Sequence, residues 1–207
     1  MQVIGLDFSH AFVAACDKMK ADARATVPIS IQGDIRSTVS VALPSDCLPH
    51  VSKTRFVQGD ACDLPDLGLF DCVLAANLLC RLPNPAAFLA RLPRIIKKVR
   101  TLLLNPSFSQ PCFSFSSCSK SFIHALAQGG VFVLVSPYSW LEEYTPKANW
   151  LGGVVNNGSI AYSAACIANI LSADFEMLSQ SDMPFLIREH ARKFQWGCSH
   201  AVVWRRK

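Results

Sequence analysis

The sequence predicts an α/β fold in which helices pack on a mainly parallel sheet. Short apolar runs are separated by loops and followed by helical patterns, as at 55–58 and 70–76. Such runs are typical of parallel strands buried on both faces. Asp60 comes just after the first run and Asn77 directly after the second. Ligands of open α/β sheets bind outside the carboxyl ends of such strands, so both residues lie where we expect ligand contacts.

The composition limits the class of protein. A chain of 207 residues with 51% hydrophobic and 17% charged residues suits one folded domain and excludes a disordered chain. No apolar run is long enough to span a membrane, and Asp7 interrupts the first run with no basic region before it, so no signal peptide is expected. The net charge of +5 forms no stripe, which argues against a nucleic-acid surface. The nine cysteines include no CxxC pair and are predicted to be free thiols in a reducing cytosol.

The first half of the chain is predicted to alternate strands with helices. In order, these are a strand at 2–6, a helix from Ser9 or His10 to about Arg24, a hairpin at 28–43 turning near Gly33-Asp34, strands at 55–58 and 70–76, and a helix at 85–97. The first helix has apolar residues at helical spacing, from Phe12 to Met19. Pro93 falls inside the second helix and is expected to bend or split it.

The second half continues the pattern and closes it with an antiparallel pair. It contains a strand at 130–136, an irregular segment at 138–153, a helix at 160–171, and strands at 175–182 and 197–204 joined through 184–195. Strand–helix alternation with a final hairpin indicates a three-layer α/β architecture.

Five stretches together resemble a known family. They are VIGLD at 3–7, QGDACDLP at 58–65, DCVLAANLLCRLP at 71–83, SPYSWLEEYTPKANWLGG at 136–153 and DMPFLIREHARKFQWGCSHAVVW at 182–204. They are similar to class I S-adenosylmethionine-dependent methyltransferases, and most closely to the 4-mercaptohistidine N-methyltransferase domain that ends the ovothiol biosynthesis enzyme. The resemblance implies a Rossmann-like three-layer fold and S-adenosylmethionine as the cofactor.

The resemblance also implies which residues bind the cofactor. These are Asp7, Phe8, Asp60, Ala61 and Asn77. Asp7 would bind the ribose hydroxyls, Asp60 with Ala61 the adenine edge, and Asn77 the methionine moiety near the transferring methyl. The alternative for both aspartates is an ordinary cap of the following helix or turn.

Four further residues are candidate catalytic residues, which would contact the methyl acceptor. Tyr138 and Asn149 follow the strand at 130–136, on the rim where an acceptor would enter. Arg188 and His190 could pair a substrate carboxylate and contact its imidazole, because the arginine fork binds both carboxylate oxygens. The alternatives are a loop pinned to the core by its tryptophans and an ordinary solvated connection. No pair of histidines has metal-ligand spacing with a carboxylate, so no metal site is predicted.

The sequence departs from the family at its start. The family begins with a strand and a glycine-rich turn whose backbone amides approach the cofactor. This sequence contains no GxG and opens on what resembles the family's second strand. It is therefore interpreted as one N-terminally truncated methyltransferase domain, residues 1–207, with impaired activity.

Residues 99–128 form a second departure, because they have no counterpart in the family. The segment is rich in Ser and Phe and has no acidic residue. Without it, the flanks join as RLPRIIKKGGVFVLVSPYSW, a natural helix, turn and strand. We interpret it as a non-native, poorly ordered insert of retained-intron type. The alternative is a real surface loop of about 30 residues, which is unusual in a compact domain.

The sequence therefore supports one principal hypothesis and its rivals. The first is an S-adenosylmethionine-dependent N-methyltransferase of the cytoplasm that acts on a small molecule, a thiolated histidine, without nucleic-acid or membrane partners. The second is a non-catalytic methyltransferase-like remnant or a partner-binding module. A nicotinamide enzyme is disfavoured because the dinucleotide glycine loop is missing.

Overall fold

The computed structural model describes residues 2–98 and 129–207. They divide into two compact units. The first contains residues 2–65 and 184–197, and the second contains 66–98, 129–183 and 198–207. The prediction of one domain with an insert stays a prediction, because the insert at 99–128 lies outside the described residues.

The first unit combines a parallel strand pair, a helix and a hairpin. Its elements are β1 (Val3–Asp7), α1 (His10–Asp22), β2 (Arg24–Gln32), β3 (Ile35–Ala42), a 3₁₀ turn (Leu48–Lys53) and β4 (Thr54–Gln58). β1 and β4 run parallel, from the pair Val3 and Thr54 to the pair Asp7 and Gln58. β2 and β3 form the predicted hairpin around Gly33, whose φ of 52° is the left-handed conformation that such turns need.

Local signals define both ends of α1. The Ser9 hydroxyl accepts a hydrogen bond from the Phe12 N–H, which caps the first turn. Ala23 has a φ of 56°, and its N–H donates to the Met19 carbonyl. This left-handed residue ends the helix, so the predicted end near Arg24 is wrong: Arg24 already belongs to β2.

The second unit is built on a four-stranded mixed sheet. Its elements are β5 (Cys72–Ala76), a 3₁₀ turn (Leu79–Arg81), α2 (Pro85–Ile95), β6 (Val131–Ser136), a 3₁₀ turn (Lys147–Asn149), β7 (Val154–Asn156), β8 (Ser159–Ala161), α3 (Ser163–Leu171), β9 (Phe175–His190) and β10 (Lys193–Arg206). The strand order is β5-β6-β10-β9, with β5 parallel and β10 antiparallel to β6. The tip of the β9–β10 hairpin, residues 184–197, groups with the first unit.

α2 passes through its proline without splitting. Asn84 caps it by accepting the Ala87 N–H at 3.1 Å, and Pro93 falls in the last turn. The helix ends at Ile95 rather than at residue 97 because the Lys97 N–H donates to the Phe70 carbonyl at 3.0 Å. The predicted end at 97 is therefore wrong. Of the two effects expected of Pro93, the split does not occur, and the bend stays a prediction.

Nearly all buried side chains lie in the second unit. Phe132, in the middle of β6, is 0% exposed, and its ring contacts those of Phe88 and Phe175 with centroids 6.3 and 6.4 Å apart. Burial is less complete on β5 of the same sheet, since Leu74 is 64% exposed. The prediction that the parallel strands are buried on both faces is therefore wrong for β5.

The β7–β8 hairpin and the closing strands also differ from their predicted bounds. Ile160 belongs to the short β7–β8 hairpin, not to the helix, because Asn157 and Gly158 adopt left-handed φ values of 48° and 80° and reverse the chain. The closing strands are longer than predicted, and only Ala191 and Arg192 connect them. No helix in the described residues is long and apolar enough to cross a membrane.

One backbone hydrogen bond joins the two flanks of residues 99–128. The Gly130 N–H donates to the Lys97 carbonyl at 2.8 Å. A deletion that joins Lys98 to Gly129 is therefore expected to keep the second unit folded. Because a shorter loop costs less closure entropy, we expect the free energy of unfolding to be unchanged or about 2 kcal/mol higher.

Urea denaturation of the deletion variant measures this. The matched control replaces 99–128 by a Gly/Ser linker of the same length, which separates the effect of loop length from that of the segment's own sequence. A deletion variant that is less stable than the linker variant would contradict the expectation.

Candidate functional site

The carboxyl ends of β1 and β4 lie side by side in the first unit. Asp7, the last residue of β1, pairs with Gln58, and the Gly59 N–H donates to the Asp7 carbonyl at 3.0 Å. Asp60 and Ala61 follow at once. The structure therefore brings Asp7, Phe8, Asp60 and Ala61 to one edge of this strand pair, as the alternation of strands and helices predicts.

Each carboxylate in this cluster makes one local hydrogen bond. Asp7 Oδ1 accepts from the Ser9 N–H, and Asp60 Oδ1 accepts from the Cys62 N–H, both at 2.8 Å. These are the turn-capping contacts of the alternative interpretation. The two side chains are exposed, and within residues 2–98 and 129–207 neither Oδ2 has a hydrogen-bond partner. One oxygen of each aspartate therefore stays available to a ligand.

Phe8 and Ala61 complete this cluster in different ways. The Phe8 carbonyl accepts a hydrogen bond from Gln58 Nε2 at 3.1 Å, while its ring is 73% exposed. Ala61 is only 7% exposed. The cluster thus offers an exposed aromatic face and two free carboxylate oxygens.

Asn77 is fixed at the end of β5 in the second unit. Its N–H donates to the Val135 carbonyl at 2.7 Å, and its φ of 52° is a left-handed conformation that asparagine tolerates. The Ser199 hydroxyl, which is fully buried, donates to Asn77 Oδ1 at 2.8 Å. The amide Nδ2 has no partner in the part of the chain that the structure describes, so it is free to donate to a ligand.

Tyr138 forms a pair with a histidine that the sequence analysis placed in the last strand without a role. The Tyr138 hydroxyl and His200 Nδ1 lie 2.8 Å apart, and their ring centroids lie 5.8 Å apart. Burial raises the pKa of the Tyr138 hydroxyl to about 12, so it stays protonated at neutral pH. Tyr138 also has a φ of 52°, an uncommon conformation for a bulky residue and one that tends to occur at functional sites.

The Tyr138–His200 pair lines a cavity of about 550 Å³. The rest of its wall is mainly apolar and includes Val154, Ile160 and Tyr162. This size lies in the usual range for small-molecule sites, about 300–1,000 Å³. The cavity is the best candidate in the second unit for an acceptor site.

Asn149 has a different environment. Its Nδ2 donates to the Pro83 carbonyl at 2.9 Å, and Thr145 Oγ1 nearby donates to the Leu82 carbonyl at 2.7 Å. Trp150 Nε1 donates to the Thr145 carbonyl at 2.8 Å. These contacts fit the alternative of a pinned loop, and Asn149 is not among the residues lining the Tyr138–His200 cavity. Its role toward an acceptor stays a prediction.

Arg188 and His190 lie in the hairpin tip that groups with the first unit. Arg188 Nε donates to the His190 carbonyl at 3.3 Å, and its guanidinium lies 5.7 Å from the centroid of the Phe194 ring. His190 Nδ1 accepts from the Arg192 N–H at 3.2 Å. The structure thus places Arg188 and His190 next to each other, and their substrate roles stay predictions.

The family of the methyltransferase domain matches residues 1–104, which is half of the chain. One similar solved structure comes from work on the conversion of a disulfide bond into a thioacetal group during echinomycin biosynthesis, with 14% identity and a TM-score of 0.52. The whole of this chain aligns with that structure, but it spans only 66% of that structure's chain. A second is a SAM-dependent methyltransferase from Methanosarcina mazei, with 11% identity, a TM-score of 0.51, and coverage of 99% of this chain and 82% of that one. No curated protein matches the chain.

The chain belongs to the methyltransferase domain family, and its fold is of the Rossmann-like methyltransferase type. It is a class I S-adenosylmethionine-dependent methyltransferase domain. The residues at the ends of β1 and β4 fit this cofactor. The free Oδ2 of Asp7 suits the ribose hydroxyls, and the exposed edge beside Asp60 and Ala61 can accept an adenine ring. The described residues contain no group of three or more His, Cys, Asp or Glu side chains that could hold a metal ion.

Proposed function

We propose that this chain is an N-methyltransferase domain that acts on the imidazole ring of a thiolated histidine, as in ovothiol-type biosynthesis. The observation that carries the proposal is the cavity next to Tyr138 and His200, whose wall is aromatic and aliphatic and whose volume lies in the range of small-molecule sites. Such a wall favours a flat heteroaromatic acceptor over a flexible polar one.

The main task of the protein in this reaction is to position the reactants. When bound, S-adenosylmethionine would supply a methyl group on a sulfonium: the imidazole nitrogen bonds to the methyl carbon in line as the methyl–sulfur bond breaks, S-adenosylhomocysteine leaves, and the methylated ring loses its N–H proton to water. Because that nitrogen is already nucleophilic, the protein mainly has to orient the ring and exclude water. Tyr138 and the neighbouring apolar side chains would provide the wall of the acceptor cavity. The proposed roles of Arg188 and His190 toward a substrate carboxylate and imidazole are supported by the resemblance and by the arginine fork, which binds both carboxylate oxygens.

The cofactor would be held by the strand ends described above. In this proposal, Asp7 binds the ribose, Asp60 and Ala61 flank the adenine, and Phe8 covers it. The proposed role of Asn77 toward the methionine moiety is supported by the resemblance to the family. A cytoplasmic location is part of the proposal.

A non-catalytic role is the second candidate. A remnant of this kind would keep the fold but would not turn over substrate.

A methyl-transfer assay on the full chain decides between the two. We expect the chain with S-adenosylmethionine to methylate 4-mercaptohistidine, detected by mass spectrometry, at least about tenfold faster than histidine, which lacks the sulfur. Calorimetry with S-adenosylmethionine runs in parallel. Cofactor binding without transfer to either compound would contradict the proposal and favour the non-catalytic role.

A further inference from the structure

We propose that His200 is a specificity-determining residue that donates a hydrogen bond from Nε2 to the sulfur of a planar thiolated heteroaromatic ligand in the cavity it shares with Tyr138. The inference rests on the proposed function for its choice of ligand. It concerns a residue to which the sequence assigns no role beyond its place in β10.

The Tyr138 hydroxyl sets the tautomer of His200. The phenol is protonated at neutral pH, and within residues 2–98 and 129–207 its only hydrogen-bond partner is His200 Nδ1 at 2.8 Å. We assign the hydroxyl as the donor, because a phenol O–H is a stronger hydrogen-bond donor than an imidazole N–H and an imidazole nitrogen is a stronger acceptor than a phenol oxygen. Nδ1 is then the unprotonated nitrogen of the neutral ring. The ring proton is then on Nε2.

His200 Nε2–H is thus a hydrogen-bond donor without a partner in the described part of the chain. His200 lines the cavity together with the apolar side chains Val154, Val155 and Ile160. The Ser163 hydroxyl, which also lines it, already accepts a hydrogen bond from Trp140 Nε1 at 2.8 Å. A ligand that is apolar in outline and carries an acceptor atom facing Nε2 matches this arrangement.

The backbone fixes the positions of Tyr138 and His200. β6 and β10 pair His200 with Ser136, two residues before Tyr138, so the strand register fixes where the imidazole lies. The left-handed φ of 52° at Tyr138 then turns its side chain to the histidine. A pre-set donor of this kind distinguishes ligands that carry a matching acceptor atom from those that lack it.

Two substitutions of one residue test the donor. In His200→Gln the amide nitrogen reaches the position of Nε2, whereas in His200→Asn it reaches only that of Nδ1. By calorimetry with 4-mercaptohistidine as the probe, we expect His200→Asn to weaken binding about tenfold and His200→Gln to stay within about threefold of the unmodified protein. Equal affinity of the unmodified protein and His200→Asn would overturn the proposal.

A spectroscopic readout on the full chain tests the tautomer independently. We expect the ¹⁵N chemical shifts of His200 to report a proton on Nε2, to move when 4-mercaptohistidine is added, and to change in Tyr138→Phe. Unchanged shifts in Tyr138→Phe, or on addition of the probe, would overturn the proposal. Methyl transfer that is undiminished in His200→Asn would also overturn it while the proposed function stands. If the probe binds as expected but no methyl is transferred, the proposed function fails and the cavity site stands.

Discussion

Replacing Phe132 with alanine is expected to destabilise the second unit by about 3–5 kcal/mol. The side chain is fully buried in the middle of β6, between the rings of Phe88 on α2 and Phe175 at the start of β9. The substitution removes the buried ring and leaves a cavity that three different elements would have to fill. A loss of this size is a large fraction of the stability of a typical domain, which is about 5–15 kcal/mol.

Leu74→Ala is the matched control on the neighbouring strand. Leu74 is 64% exposed, so its truncation is expected to change the free energy of unfolding by no more than about 0.5 kcal/mol. Urea denaturation followed by tryptophan fluorescence measures both variants, because Trp140, Trp150 and Trp204 lie in this unit. If Leu74→Ala cost as much as Phe132→Ala, the exposed side of β5 would have to be covered in solution.

The elements that could be predicted are those with a strong local signal. The apolar runs that became β4, β5 and β6 are short, are bounded by polar residues, and can satisfy their backbone groups only in a sheet. α1 begins where Ser9 can cap it. In each case, neighbours along the chain carry enough information to decide the structure.

The elements that were missed depend on contacts between distant residues. β9 and β10 extend well beyond their apolar parts, because pairing with the other strand, rather than burial, holds the exposed ends of the hairpin. The β7–β8 hairpin did have a local signal, the Asn157-Gly158 pair, which is among the strongest hairpin signals known. The run of apolar residues after it hid this signal in a helical pattern.

The candidate site likewise contains residues that could be predicted from the sequence and one that could not. Asp7 and Asp60 could be placed at one edge because parallel strands that follow each other along a chain tend to share their carboxyl ends. His200 could not be given a role, since its meeting with Tyr138 depends on the register of β10 against β6 over 62 residues of separation. No motif within either segment encodes that register.

Asp7→Asn is expected to weaken the binding of S-adenosylmethionine by about 10- to 100-fold. Hydrogen bonds to a charged group contribute about 1.5–3 kcal/mol, and the neutral amide loses that charge while keeping almost the same shape. Because the Asn side chain retains an oxygen that can accept from the Ser9 N–H, the cap of α1 should survive, and the free energy of unfolding should change by no more than about 0.5 kcal/mol. Calorimetry with the cofactor measures the affinity, and urea denaturation measures the stability.

Asp17→Asn provides the control for net charge. Asp17 lies exposed on α1 in the same unit, so this variant makes the same change of charge away from the strand ends. We expect its affinity for S-adenosylmethionine to equal that of the unmodified chain. An equal loss of affinity in both variants would mean that Asp7 acts only through the overall charge. An unchanged affinity in Asp7→Asn would remove Asp7 from the cofactor site, and with it the argument that the free carboxylate oxygen at the end of β1 binds the ribose.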